Sequence, residues 1–388
     1  MDRLEGAKEG RAWVASVASP TSVSGGRRDA EDRAAARVAP RADGTWPPPI
    51  DEATLVALLG KHAVAGVSIA LITPGEGGHG AFGSRVVAQC AGMAVTAPSI
   101  ASALTTVLDV AAAADTRGDS PLSPQPPPPS KVDDATWFEI ASLSKTIATA
   151  FALQYFEAKG ISLSTPVNAL LAEYCPPSSP SYFVLRSAEG APAEWAEDVA
   201  LLHLFNYTGL GLHYVNGVPL SHEMPPVVAL ISGSAAAPAP YRYATLDVVK
   251  EPGTAFGYSG GGFLVLQLLL EAMEERPIAA IMRPFLARSG LAVSLGLSFF
   301  QRLPGKHYAL GYKSNGSMVT DGRLMFPPLA AGGLGSAAAV AEWLKQLALA
   351  YVRPQGCGAI AHRTARAMLT PGEDLGSEAF MAAKMGLG

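Results

Sequence analysis

Apolar residues recur at helical spacing after Ser142. Ile147, Ala150, Phe151, Leu153 and Phe156 mark one face, and Lys159-Gly160 supplies the stop, so the pattern predicts a helix over 145–159. Similar reasoning predicts helices near 166–173, 197–205, 261–274 and 277–288, and an amphipathic helix from Ala337 to Tyr351. Asp51 is placed to cap a helix running to His62, with Leu55, Leu58 and Leu59 on one side. Two segments have strand character. Ala65-Gly-Val-Ser-Ile-Ala-Leu-Ile72 is β-branched, short and bounded by Pro74-Gly75, and Val86 to Val95 reads as its hairpin partner.

The segments between these elements divide the chain. Residues 1–48, rich in Ala, Arg, Ser and Gly, are expected to form a disordered or targeting tail. Residues 97–135 read as a surface insertion, part helical over Ile100 to Ala114 and part polyproline around Pro121, Pro124 and Pro126 to Pro129. The segment 181–200 reads as a further loop excursion, and Pro328 to Ser336 as a Gly-rich turn. The expected architecture is α+β. An α/β part (49–96 and 300–388) carries an inserted all-helical subdomain (141–299).

Composition excludes several classes of function. With 388 residues and 49% hydrophobic content the chain can build a sizeable core. Twenty-nine basic residues against 33 acidic ones, with no basic run interleaved with aromatics, argue against a nucleic-acid partner or an anionic membrane surface. No apolar run reaches the roughly 18–20 residues of a membrane span, and no secretory signal is evident, which leaves a cytoplasmic or organellar location open. Cys90, Cys175 and Cys357 show neither disulfide nor zinc spacing and are expected to be buried free thiols. The seven histidines form no H-x-H, H-E-x-x-H or H-x-x-x-H pair, so no metal site is expected.

The candidate chemistry lies in Phe138-Glu-Ile-Ala-Ser-Leu-Ser-Lys-Thr146, where an extended segment gives way to a helix. A hydroxyl and an amine three residues apart at a helix start share one face of the first turn. The amine can then take the hydroxyl proton while helix-end N–H groups face developing negative charge. Ser142 is thus a candidate nucleophile with Lys145 as its base. Ser144 is not, because its neighbour at i+1 points away on a helix. The same letters would also suit an N-cap serine followed by a solvated first-turn lysine.

Several further segments follow in a fixed order: Glu157-Ala-Lys-Gly-Ile-Ser-Leu-Ser-Thr-Pro-Val167, Leu202-His-Leu-Phe-Asn-Tyr-Thr-Gly-Leu210, Pro252-Gly-Thr-Ala-Phe-Gly-Tyr-Ser-Gly260 and Ala330-Ala-Gly-Gly-Leu-Gly-Ser336. Together with the strand at 65–72 and the Ser142 segment, they resemble the serine β-lactamase and penicillin-binding-protein superfamily. Within it the segments resemble class C β-lactamases, family VIII carboxylesterases and their eukaryotic β-lactamase-like relatives. The resemblance implies a β-lactamase/transpeptidase-like fold and an acyl-enzyme mechanism. In it Ser142 is acylated, Lys145 activates it, and Tyr258 matches the tyrosine of a Y-x-N motif that moves protons beside the lysine. That role implies a phenol pKa lowered by the neighbouring ammonium.

The chain also departs from the family pattern. Gly260 replaces the motif asparagine, which puts the orientation of Lys145 in doubt. Tyr207 stands where relatives often have histidine in a structural loop, and His203 reads as a packed or capping residue rather than a catalytic one. Met385-Gly-Leu-Gly388 resembles the segment before the family's last strands, so the K-T-G or H-x-G motif, which supplies a second oxyanion-hole N–H, has no counterpart. Lys313-Ser-Asn-Gly316 falls on the wrong side of the Gly-rich turn. A truncated copy is the resulting expectation. The function this implies is a serine hydrolase acting on an ester, amide or lactam carbonyl of a small-molecule or peptide acyl substrate, needing no metal or organic cofactor, with no oligomeric state implied. The alternative is an impaired or inactive relative that keeps the fold as a binding or scaffold module.

Overall fold

The computed structural model describes residues 52–61, 66–74, 82–92, 132, 133, 135–211, 213, 215–233, 243–291, 296–303, 306–313, 315 and 317–370. The expectations for the tail at 1–48, the Asp51 cap, most of the insertion at 97–135 and the Met385–Gly388 segment lie outside these residues.

Helix α1 (Glu52–Lys61) buries Leu55 and Leu59, four residues apart, while Leu58, expected on the same side, is exposed. Strands β1 (Gly66–Pro74) and β2 (Phe82–Gly92) form an antiparallel hairpin in the register Gly66↔Gly92 to Ile72↔Val86, as the apolar runs predict, with β2 starting and ending earlier than Val86–Val95. The chain then runs through β3 (Phe138–Glu139), α2 (Leu143–Ala158), α3 (Val167–Tyr174), α4 (Glu194–Asp198), α5 (Leu201–Phe205), β4 (Val218–Pro219) and α6 (Val227–Ile231). It continues with α7 (Gly261–Glu274), α8 (Ile278–Arg288), β5 (Leu297–Ser298), β6 (Leu324–Met325), α9 (Pro328–Ala331), β7 (Leu334–Gly335), α10 (Ala337–Val352) and α11 (His362–Leu369).

Helix α7 forms the centre of the core. Every residue from Gly261 to Leu270 is buried, Phe263, Leu266, Leu269 and Leu270 completely. A helix apolar on all sides must be covered on all sides, and α3, α5, α6, α8 and α9 pack around this one. Helix α2 packs against α9 and α11, and α10 lies against both the β1–β2 hairpin and α11. The short strands add two small sheets, β3–β7–β5 and β4–β6, both antiparallel.

Four further sequence expectations need correction. The single helix expected over 197–205 is two. Val199 and Ala200 are extended because the Val199 carbonyl accepts from Val167 N–H at 2.7 Å and Ala200 bridges Pro166. The chain re-enters helix at Leu201, where His203 Nδ1 accepts the Ala200 N–H at 3.1 Å, the capping role expected of this histidine. Apolar spacing cannot register such a break, because backbone partners cause it. The excursion at 181–200 contains α4, and the turn at 328–336 contains α9 and β7. Of the cysteines, Cys175 is buried but Cys357 is only partly so.

Candidate active site

Strand β3 delivers the chain to the site. It pairs with β7 (Phe138↔Gly335, Glu139↔Leu334), and Ile140 N–H adds a bond to the Gly333 carbonyl at 3.0 Å. Ala141 then adopts φ 45°, a left-handed conformation that costs a residue with a side chain roughly 1–3 kcal/mol. This sharp turn places Ser142 at the N-cap of α2. Its side chain makes no capping bond to the helix. Its backbone N–H has no acceptor among the described residues.

The freed hydroxyl is engaged from two other directions. Lys145 Nζ donates to Ser142 Oγ at 3.2 Å, and Tyr258 OH donates to the same oxygen at 2.6 Å. The amine also donates to the Ala330 carbonyl at 2.5 Å and lies 5.0 Å from the centre of the Tyr258 ring and 5.6 Å from that of Phe263. Lys145 is 3% exposed, so it is not the solvated first-turn charge that an isolated motif would allow. It has no carboxylate partner among the described residues. Burial without a counter-charge disfavours the ammonium and pulls its pKa down from 10.5 to about 8. At pH 8 about half the amine is then neutral, against about 0.3% for an exposed lysine.

Tyr258 is held from behind. Tyr207, buried and at φ 60°, stacks on its ring with centroids 5.1 Å apart, and Phe256 and Phe263 pack edge-on or tilted against Tyr207. Gly257 N–H donates to the Tyr207 carbonyl at 2.8 Å and Gly253 N–H to that of Thr208 at 3.0 Å, which joins the 206–210 loop to the Tyr258 loop. Tyr207 thus backs the Tyr258 ring and makes no hydrogen bond to Ser142 among the described residues, in line with the structural role expected of its loop.

The structure also shows what the sequence left open at Gly260. A side-chain carbon there would lie 2.7 Å from the His213 carbonyl oxygen. His213 cannot easily withdraw, since its Nε2 is 2.8 Å from the Leu230 carbonyl and its ring meets Tyr243 edge-on. The space of a motif asparagine is therefore filled by backbone, and the Ala330 carbonyl holds Lys145. Gly260→Asn is expected to destabilise the protein by about 1–3 kcal/mol, as overpacking does, read as a lower urea midpoint. A variant as stable as the wild type would contradict this reading of the loop.

Ala330 was not singled out by its side-chain chemistry, because it acts through its carbonyl. Its place is fixed by α9. Leu329 N–H donates to Gln267 Oε1 at 3.3 Å, and Gln301 brackets Phe326 through Nε2→Phe326 O at 2.6 Å and Phe326 N→Oε1 at 2.9 Å. A buried glutamine in an otherwise apolar helix was the available signal. Lys313, by contrast, sits in a tight turn, its N–H on the Ser317 carbonyl at 2.7 Å. Among the described residues no group of three His, Cys, Asp or Glu could hold a metal ion, and no helix is long and apolar enough to cross a membrane.

Solved structures of similar shape include an octameric penicillin-binding protein homologue from Pyrococcus abyssi (TM-score 0.52, 18% identity), for which the match covers 86% of this chain. This chain spans only 63% of that protein's length. A D-alanine carboxypeptidase AmpC from Burkholderia cenocepacia matches with TM-score 0.50 and 19% identity, over 82% of this chain and 67% of that one. At such identities these likenesses establish the β-lactamase/transpeptidase-like fold, in agreement with the α+β expectation. No curated protein matches the sequence. The profile of the Beta-lactamase family matches residues 52–376, most of the chain, and the protein belongs to that family.

Proposed function

We propose that this protein is a serine hydrolase that works by acyl transfer, with Ser142 as nucleophile, Lys145 as general base and Tyr258 as proton carrier. The observation that carries the reading is the convergence of the Tyr258 hydroxyl (2.6 Å) and the Lys145 amine (3.2 Å) on one Ser142 oxygen. Those are distances at which a proton can pass.

The neutral Lys145 amine takes the proton of Ser142 Oγ as that oxygen attacks the substrate carbonyl carbon. The carbonyl oxygen becomes an oxyanion, toward which the uncommitted Ser142 N–H is the available donor at the start of α2. As the tetrahedral adduct collapses, the proton passes from the ammonium, by way of Tyr258, to the leaving oxygen or nitrogen, and the carbon–leaving-group bond breaks. A water molecule then attacks the acyl carbonyl and gives a proton to the Lys145–Tyr258 pair. Release of the acid returns that proton to Ser142 Oγ. No step calls on a cofactor. The substrate is an ester, amide or lactam of a small molecule or peptide. The Burkholderia neighbour, a D-alanine carboxypeptidase, offers an example of such chemistry. Gly260 favours an ester or peptide over an antibiotic lactam, since no side-chain amide is offered there.

The test is labelling of the folded full chain by a fluorophosphonate probe, with the modified peptide mapped by mass spectrometry. Modification at Ser142, lost in Ser142→Ala, is the expected result. A well-folded protein that takes up no probe at Ser142 would leave a non-enzymatic binding module as the reading.

A further inference from the structure

Ser144 stands outside the chemistry just described, yet it is completely buried and both of its hydrogen-bonding capacities are spent close to the nucleophile. Its Oγ donates to the Ala141 carbonyl at 2.6 Å and accepts the Gly333 N–H at 2.9 Å. The first bond fastens the left-handed residue that precedes Ser142. The second fastens the glycine that follows the Pro328–Ala331 turn, three residues after the carbonyl that holds Lys145. Clearance between the two segments is nil: a side-chain carbon on Gly333 would lie 2.8 Å from Ser144 Oγ and 2.9 Å from Ile140 Cδ1. The return bond from Ile140 N–H to the Gly333 carbonyl, 3.0 Å, closes the clasp.

We propose that Ser144 is a positioning residue: its hydroxyl clamps the nucleophile turn to the Gly332–Gly333 segment, and so sets the reach of Lys145, through the Ala330 carbonyl, to Ser142 Oγ. The inference rests on Ser142 being the acylated residue. Removal of the hydroxyl leaves a buried carbonyl and a buried N–H without a partner. Such groups recover their bonds by admitting water or by moving apart. Either response loosens the 330–333 segment and wets the amine. A displacement of the base by about 1 Å is enough to slow a reaction some 10²-fold.

Two readouts on the full chain test this, with Ser144→Ala and Ser144→Thr, and with Ser144→Cys in place of the alanine variant if that does not fold. The first is the NMR titration of the Lys145 side chain in lysine-labelled protein, its signal identified by its absence in Lys145→Met. The second is the pH dependence of fluorophosphonate labelling. Ser144→Ala is expected to move the titration midpoint upward from about 8 toward 10.5, and to slow labelling about 10-fold or more. Ser144→Thr, which keeps a hydroxyl able to make both bonds at the cost of one added methyl, is expected to move the midpoint less and slow labelling less than Ser144→Ala does. A folded Ser144→Ala protein with an unmoved midpoint, whatever its labelling rate, overturns the proposal. If the wild type takes up no probe, the acyl-transfer reading fails while the titration still decides the role of Ser144.

Discussion

Lys145→Met is expected to slow acylation of Ser142 by about 10³-fold or more while raising the melting temperature of the protein at neutral pH. The two effects have one cause. The amine is 3% exposed, lacks a carboxylate among the described residues, and has its pKa drawn down from 10.5 to about 8 by burial. A depression of that size corresponds to about 3 kcal/mol of unfavourable burial of the charged form. The penalty is complete below pH 8, where the folded protein must hold an ammonium. It fades between pH 8 and 10.5 and is absent above, where the amine is neutral in both states. Methionine has similar length and no charge, so it removes this penalty, but leaves the Ala330 carbonyl without its donor at a cost of about 1–3 kcal/mol. The net gain is about 0–2 kcal/mol below pH 8, and it turns into a net loss by about pH 10, where only the cost at the Ala330 carbonyl remains. Without a base, proton removal from Ser142 loses a contribution that typically spans 10²–10⁴. Thermal melts at pH 6.5 and pH 10 beside labelling rates check both halves. A variant that is less stable at pH 6.5 would show that Lys145 is held by favourable contacts instead of being strained.

Tyr258→Phe is expected to cost about 10²-fold in turnover of an activated ester with little change in stability. The ring stays stacked on Tyr207 at 5.1 Å and keeps covering the amine at 5.0 Å, so the low pKa of Lys145 survives. Only the hydroxyl 2.6 Å from Ser142 Oγ is lost. The pH midpoint of acylation should therefore remain near 8 while the rate falls, which separates the proton carrier from the base. Undiminished turnover in Tyr258→Phe would reduce that short bond to a resting contact.

Much of this arrangement was legible before the structure. The helical period after Ser142, the Gly after Lys159 and the apolar run from Phe263 to Leu270 led directly to α2 and α7, because both helices bury the faces that their sequences advertise. The spacing of Ser142 and Lys145 places them on one turn, and the Tyr258 loop was found by its resemblance to the family motif. What remained hidden acts through the backbone. The break at Val199–Ala200 comes from the carbonyl partner of Val167, the hold on Lys145 from the carbonyl of Ala330, and the closure over Gly260 from the carbonyl of His213. Main-chain oxygens are identical in every residue, so side-chain pattern carries no trace of them. Ser144 was set aside as a nucleophile on helical geometry. Its buried position then gives it the role of a tie between segments 189 residues apart.

The most direct test is the rate at which the wild-type full chain is labelled at Ser142 by a fluorophosphonate, followed from pH 6 to pH 11. Burial of the Lys145 amine, with no carboxylate beside it among the described residues, predicts a rate that rises with pH and levels off, with a midpoint near 8. A flat profile, or a midpoint at the 10.5 of an ordinary exposed lysine, would contradict the claim that this amine draws the proton from Ser142.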